Sequence, residues 1–181
     1  MAGNIQTTIM RKSFNTHNKR MQPDILLAMR AKCRWCEALW STRSSKLLKQ
    51  IGETVINPIH KLTCHCGAVE LEIQLPDGIV EQRRCNCSIC RRKGAIVGSV
   101  PLSGLKVVKG VEKLGLYQFD TKEAEHYFCS VCGIYTHHKR RSNPNQYGIN
   151  LGCLEGVDPN LIEGVKIHDG ANNHPSDKRA S

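Results

Sequence analysis

Ten cysteines are the residues best able to do chemistry in this 181-residue chain, and seven of them fall into three clusters. The clusters are Cys64-His65-Cys66-Gly67, Cys85-Asn86-Cys87-Ser88-Ile89-Cys90 and Cys129-Ser130-Val131-Cys132-Gly133. Clustered cysteines form disulfides or bind metal, according to the compartment. Cysteines one residue apart on a strand point to opposite faces and do not pair easily. We therefore predict metal sites, with zinc as the first choice and an iron–sulfur cluster as the alternative.

The first and third clusters are alike, since each is a pair of thiols followed at once by glycine. Glycine there allows a positive φ, so that backbone N–H groups can turn toward the sulfurs. Together the two pairs supply the four sulfurs that close a tetrahedral zinc site. We expect a closed site of this kind to be structural.

The middle cluster offers three sulfurs, which is the ligand count of a catalytic zinc with an open fourth position. The alternative is a closed site completed by His137, His138 or Cys153, and the spacing does not decide between them. Five basic residues flank the cluster and favour the thiolate form: Arg83, Arg84, Arg91, Arg92 and Lys93. We expect three of these to bind the carboxylates of an anionic substrate: Arg84, Arg91 and Arg92.

The N-terminal part of the chain carries most of the positive charge. Residues 1–61 hold 11 Lys and Arg against 3 Asp and Glu, whereas residues 62–181 hold 15 against 13. A nucleic-acid-binding protein usually carries its basic patch on the folded binding face, so this distribution argues against that class. The longest apolar run near the N-terminus, residues 25–29, is too short for a signal peptide or a membrane span. We predict a soluble cytoplasmic protein.

Three regions follow from the pattern of the chain. Residues 1–59 form a basic extension, predicted to be disordered at first and then helical over 23–40 and 46–51. Residues 60–174 form a zinc-binding domain, and residues 175–181 form a flexible tail. Within the domain, alternation and turn residues predict seven strands: 68–75, 95–100, 105–109, 114–119, 125–128, 146–151 and 165–168. The fold class is all-β.

The three cysteine clusters, in this order, resemble the signatures of the glutathione-dependent formaldehyde-activating enzyme family. The matching stretches are residues 64–69, 85–94 and 128–133, with Asp169-Gly170 near the end. The centromere protein V group shares this domain. The resemblance implies a zinc-stapled, folded antiparallel sheet of the β-tent type and two zinc ions per chain. It implies a structural zinc on Cys64, Cys66, Cys129 and Cys132, and a catalytic zinc on Cys85, Cys87 and Cys90.

Two functions are compatible with the sequence. The resemblance implies a zinc-dependent carbon–sulfur lyase that forms or cleaves S-hydroxymethylglutathione or a related thiol adduct. The alternative is a non-catalytic binding module that uses the basic N-terminal arm for an acidic partner. The ligand count of the middle cluster favours the enzyme.

The remaining candidates carry weaker signals. Cys33 and Cys36 lie outside the family match and are predicted to be packing residues, and Cys153 is predicted to be a small buried side chain. Two interpretations fit the basic run 137–141, a rim of the active site and a solvated loop, and we predict the loop. Tyr135 and Asn150 are possible pocket residues.

Overall fold

The computed structural model describes residues 47–173, and within them almost all regular structure is β-strand. The strands are β1 (Gln50–Ile51), β2 (Thr54–Val55), β3 (Ile59–Thr63), β4 (Glu70–Gln74), β5 (Arg83–Cys85), β6 (Val97–Pro101), β7 (Leu105–Lys109), β8 (Leu114–Tyr117), β9 (Glu125–Cys129), β10 (Tyr135–Lys139), β11 (Gln146–Asn150) and β12 (Lys166–His168). Two short helices accompany them: α1 (Ser88–Lys93) and α2 (Gly170–Asn173). The all-β prediction is confirmed.

The strands form three sheets. The largest has seven strands in the order β12-β5-β6-β11-β10-β9-β8, the second has the order β3-β4-β7, and β1 pairs with β2 in a hairpin. Every pairing is antiparallel except that of β12 with β5, which is parallel. The predicted antiparallel arrangement therefore holds for every strand pair of residues 47–173 except β12 with β5, at one edge of the seven-stranded sheet.

The core lies between the three-stranded sheet and the larger one. In β4, Leu71 and Ile73 are fully buried, while Glu72 and Gln74 between and beyond them are exposed. This is the alternation that a half-buried strand requires, because successive side chains point to opposite faces. Ile149 and Leu151, at the end of β11, are also fully buried and belong to the same core cluster.

Residues 47–59 also contribute to this core. Leu48, Ile51 and Ile56 are buried in the same apolar cluster as the strands of the β domain. The Leu48 N–H donates to the Ile79 carbonyl at 3.0 Å, and the Ile79 N–H donates back to Leu48 at 2.8 Å. The short helix predicted over residues 46–51 is wrong, because this backbone pairs as strand instead. We propose that the folding unit includes residues 47–59 and does not begin at residue 60.

The sequence prediction missed five strands and both helices, namely β1, β2, β3, β5, β10, α1 and α2. The predicted solvated loop at residues 137–141 is also wrong, since His137 lies on β10 and is buried. Its ring stacks on Tyr127 at a centroid distance of 4.5 Å and meets Tyr147 edge-on at 5.4 Å. The neighbouring strands therefore bury His137, although the polar sequence of this segment does not indicate a buried strand.

Two other predictions, the helix over residues 23–40 and the tail at residues 175–181, lie outside the described residues. Among the helices of residues 47–173, none has the length and apolar character needed to cross a membrane.

Replacing Ile51 by alanine tests whether the hairpin belongs to the folding unit. Ile51 is 4% exposed and Val55, in the same hairpin, is 59% exposed. We expect Ile51→Ala to lower the free energy of unfolding by about 2–5 kcal/mol, as core truncations do. Val55→Ala should change it by less than about 0.5 kcal/mol. Denaturant unfolding of both variants measures this, and equal, small effects would place the hairpin outside the cooperative unit.

Candidate metal centres and the adjoining cavity

The first candidate metal centre is the four-cysteine cluster of Cys64, Cys66, Cys129 and Cys132. Their sulfurs all lie within 4.8 Å of one another, and together they could hold a metal ion. The Cys66 sulfur is 3.6 Å from that of Cys64 and 3.8 Å from that of Cys129. Cys64 follows β3 directly and Cys129 ends β9. The cluster thus joins the three-stranded sheet to the seven-stranded sheet.

Backbone N–H groups turn toward these sulfurs as predicted. Gly67 and Gly133 have φ values of 69° and 75°, a region that residues with a Cβ rarely adopt. The Val69 N–H donates to the Cys64 sulfur at 3.3 Å. Donation from the Ile134 N–H lowers the pKa of the Cys132 thiol to about 6. These hydrogen bonds favour the thiolate forms of Cys64 and Cys132, and the thiolate is the form that binds metal. The pKa of Cys66, in contrast, is raised to about 11 by burial and by the neighbouring thiols.

The second candidate centre is the three-cysteine cluster of Cys85, Cys87 and Cys90. Cys85 ends β5, Cys87 precedes the first residue of α1, and Cys90 lies in that helix. Their sulfurs also lie within 4.8 Å of one another. Hydrogen bonding from Cys87, followed by Cys90, lowers the pKa of Cys85 to about 3, while the same contacts raise the pKa of Cys90. Three adjacent thiols resist full deprotonation, and a bound cation would relieve that resistance.

The described residues supply no fourth ligand to this cluster. Among residues 47–173, no other His, Cys, Asp or Glu joins the three sulfurs within 4.8 Å. His137 packs between tyrosines, and the Tyr135 hydroxyl is 2.5 Å from Nδ1 of His138. Cys153 is buried, as predicted, and accepts a hydrogen bond from Asn150 at 3.3 Å. The three side chains considered as a fourth ligand are therefore engaged elsewhere.

The segment Asp169-Gly170 holds the three-cysteine cluster in place. Asn86 donates to the Asp169 carboxylate at 2.9 Å and accepts from the Ala171 N–H at 2.9 Å. A Cβ on Gly170 would lie 2.5 Å from the Cys85 sulfur, so only glycine allows the chain to pass there. These contacts hold strand β12 and helix α2 against the segment that carries the three cysteines.

A cavity of about 140 Å³ opens beside the three-cysteine cluster, with all three of its cysteines in the wall. Four basic side chains line it: Arg83, Lys93, Arg140 and Arg141. Five rings also line it: Phe119, His126, Tyr135, His138 and His168. Burial lowers the pKa of His126 to about 4 and that of His138 well below its usual value. His126 and His138 are therefore neutral near pH 7, whereas the arginines and the lysine bring positive charge to the cavity.

Lys93 reaches into this cavity from the end of α1. Its Nζ is 2.9 Å from Nδ1 of His126 and 3.7 Å from the centre of the Tyr135 ring. Burial lowers its pKa to about 8. Tyr135 thus lines the cavity, as the sequence suggested. Asn150 does not, and instead donates to the Tyr135 carbonyl at 2.8 Å.

The three arginines predicted to bind substrate do not line the cavity. Arg84, Arg91 and Arg92 are all exposed. Arg84 donates to the Gly94 carbonyl at 2.7 Å, and Arg92 donates to the Ser88 carbonyl at 2.6 Å. Their predicted role in substrate binding gains no support from this geometry.

The sequence pointed to only some of the residues that do line it. Tyr135 was a predicted pocket residue, and Arg83 and Lys93 were recognised as basic residues beside the cysteines but were not assigned to substrate binding. Arg83 and Cys85 share one face of β5 because they are two residues apart, and the same alternation sends Arg84 away. The alternation would have placed Arg83 on the same face as Cys85 if residues 83–85 had been predicted to be a strand. His126 and Phe119 carried no comparable signal, since their place depends on how β8 and β9 pair.

Comparison with known proteins decides the family. The model of the glutathione-dependent formaldehyde-activating enzyme family matches residues 59–167, which is more than half of the chain. This chain belongs to that family. The cysteines of both candidate centres lie within the match.

Several relatives share part of the sequence. A protein of Emericella nidulans, named provisionally as a glutathione-dependent formaldehyde-activating enzyme, is 35% identical over 82 residues, or 43% of this chain and 41% of its own. A Halomonas elongata protein with the same provisional name is 38% identical over 78 residues, or 39% of this chain and 49% of its own. The chain therefore spans less than half the length of these curated relatives.

A solved structure covers the domain more fully. The crystal structure of a Rhodobacter sphaeroides protein is 56% identical, with a TM-score of 0.58. The alignment covers 60% of this chain and 99% of that one. The fold of the family domain is therefore shared with a protein of known structure.

Replacing Gly170 by alanine tests the fastening of the three-cysteine cluster. The added methyl would overlap the Cys85 sulfur, so we expect weaker metal binding at this cluster with the four-cysteine cluster unaffected. Gly152→Ala is the control, because a Cβ there meets nothing closer than 3.4 Å. Competition with a graded series of chelators measures both metal affinities. An unchanged metal affinity at the three-cysteine cluster of Gly170→Ala would contradict the close packing of Gly170 against Cys85.

Proposed function

We propose that this protein is a zinc-dependent carbon–sulfur lyase that acts on a glutathione-type thiol adduct. The observation that carries the proposal is the three-cysteine cluster in the wall of a basic cavity, with no fourth ligand among residues 47–173. Three protein ligands and an exchangeable position are typical of catalytic zinc. We assign a structural zinc to the four-cysteine cluster, which gives two zinc ions per chain.

The reaction we propose joins the sulfur of a thiol to the carbon of formaldehyde, or reverses that step. The carbon–sulfur bond forms while the thiol proton ends on the former carbonyl oxygen, so the adduct is S-hydroxymethylglutathione. A zinc at the three-cysteine cluster would supply Lewis acidity and stabilise the substrate sulfur as thiolate.

Residues of the cavity have the remaining roles. We assign to Lys93 a hydrogen bond to the substrate oxygen, because its ammonium lines the cavity and has no carboxylate partner among the described residues. The neutral rings of His126 and His138 and the ring of Phe119 narrow the cavity and limit the water inside it. A thiol substrate that carries negative charge fits the basic wall.

The state of the cysteines is consistent with a reducing compartment. All eight cysteines of residues 47–173 are free thiols, and we propose the cytoplasm as the location. The alternative function, a binding module built on the basic arm, concerns residues outside the described part of the chain.

Metal analysis of protein purified without chelator tests the two assignments together. We expect two zinc ions per chain. Cys129→Ser should lower the free energy of unfolding by about 4 kcal/mol or more, because a structural zinc contributes directly to folding. Cys87→Ser should remain folded and retain one zinc. Iron with labile sulfide, or equal loss of stability in the two variants, would contradict the assignments.

Calorimetric titration with glutathione tests the open position. We expect saturable binding to the zinc-loaded protein and its loss when Cys85, Cys87 and Cys90 are all replaced by serine. Cys153→Ser is the control, because this buried thiol lies outside both clusters, and it should bind normally. Binding that survives loss of all three thiols would remove the zinc from the proposed mechanism.

A further inference from the structure

One wall of the cavity is built from arginines that are themselves held in fixed positions. Arg83 donates to the Ser99 hydroxyl at 2.8 Å, and Arg140 donates to the same hydroxyl at 3.0 Å. Their side chains are only 17% and 16% exposed. Two guanidinium groups are thus gathered around one oxygen at the edge of the cavity.

A single carboxylate is shared between these two cations. The Glu81 carboxylate lies 3.1 Å from Arg140 and 3.8 Å from Arg83, and its carbonyl accepts from Arg83 at 3.0 Å. Glu81 has a φ of 52°, which is uncommon for a residue with a Cβ. Backbone strain of this kind persists where the surroundings fix it. One negative charge for two positive charges leaves the pair with an excess of positive charge.

A third arginine in the wall lacks a partner. Arg141 lines the cavity, and its Nε is buried with no hydrogen-bond acceptor among the described residues. It makes no ion pair with any carboxylate of residues 47–173. A buried guanidinium nitrogen without an acceptor is costly, and an anion in the cavity would remove that cost.

The arginine wall lies close to the thiols. Arg83 and Cys85 project from the same face of β5, so their Cα atoms are about 6.6 Å apart. A ligand whose sulfur is at the three-cysteine cluster needs only a few atoms to bring a carboxylate to the wall. Planar guanidinium groups match the geometry of a carboxylate.

We propose that Arg83, Arg140 and Arg141 form a carboxylate subsite, so that the protein selects thiols with a carboxylate a few bonds from the sulfur. This inference rests on the proposed function, because it takes the ligand sulfur to be held at the three-cysteine cluster. The three arginines select for a carboxylate at one end of the ligand, and the metal selects for a thiol at its other end.

A matched pair of small thiols tests the subsite. 3-Mercaptopropionate and 3-mercaptopropionamide have the same length and differ in one charge. Titration calorimetry with the zinc-loaded full chain should show the acid binding about tenfold to a hundredfold more tightly than the amide. In Arg141→Gln and Arg140→Gln this preference should fall to about threefold or less, while the amide affinity stays within about twofold of the unmodified protein.

Two further variants separate the subsite from general electrostatics. Lys106→Gln removes an equal charge from β7 in the other sheet, and we expect the preference to persist there. Arg84→Gln tests the position that the sequence suggested, and the preference should persist there also. Zinc content and circular dichroism report whether each variant is folded. Arg141 is the more informative position, because its side chain has no hydrogen bond within residues 47–173 that folding could require.

Each outcome bears on the subsite. Equal affinity for acid and amide in the unmodified protein overturns the subsite but leaves the thiol site intact. A preference lost in Lys106→Gln as much as in Arg141→Gln overturns it in favour of long-range attraction, and one lost only in Arg84→Gln overturns it in favour of the other face of β5. Binding of neither thiol overturns the proposed function and the subsite together.

Discussion

The contact on which the rest of the domain depends is the gathering of four thiols from two sheets into one site. Cys64 and Cys66 follow β3, Cys129 ends β9 and Cys132 follows it, so the cluster links strands that are distant in sequence. Aromatic residues make up only 5% of the sequence, and none of the buried core side chains within residues 47–173 is a Phe, Tyr or Trp, so burial of large rings contributes little. A metal ion that these four cysteines bind only in the folded state would add its binding free energy to the stability of the fold.

The second cluster depends on a different set of contacts. Cys85 ends β5, Cys87 lies in the turn that follows it and Cys90 lies in α1. This segment is held by the pairing of β5 with β12 and by the hydrogen bond from Asn86 to Asp169, which are 83 positions apart in sequence. An exchangeable metal site of the kind we propose would need such support, because fewer protein atoms would hold the metal.

Much of this could be predicted from the sequence, and the reasons for the failures are physical. The strand around Leu71 was found because its side chains alternate between core and solvent. The strands around Val107 and Ile149 were found because strand-like runs lie between turn residues. β10 was missed because His137 and His138 are polar residues that are buried by the strands on either side. The cysteine groupings followed from spacing and glycine alone, and the geometry brings the same residues together.

Substrate contacts were the least predictable part. Arg84, Arg91 and Arg92 are close to the thiols in sequence, but the strand and the helix carry them away from the cavity. Arg140 and Arg141 lie 50 and 51 positions after Cys90 in the sequence, and they come close to the thiols through the pairing of β10, β11 and β6. Proximity in sequence says little about which cations a ligand meets, whereas the register of the strands decides it.

Zinc X-ray absorption before and after addition of glutathione tests the central claim, the open position at the three-cysteine cluster, most directly. The zinc-loaded chain should show sulfur at about 2.3 Å and a lighter oxygen or nitrogen neighbour at about 2.0 Å. Glutathione should remove the lighter neighbour and increase the sulfur count, with no change in a variant that retains only the four-cysteine cluster. An all-sulfur spectrum before glutathione is added, or a spectrum that glutathione leaves unchanged, would contradict the claim.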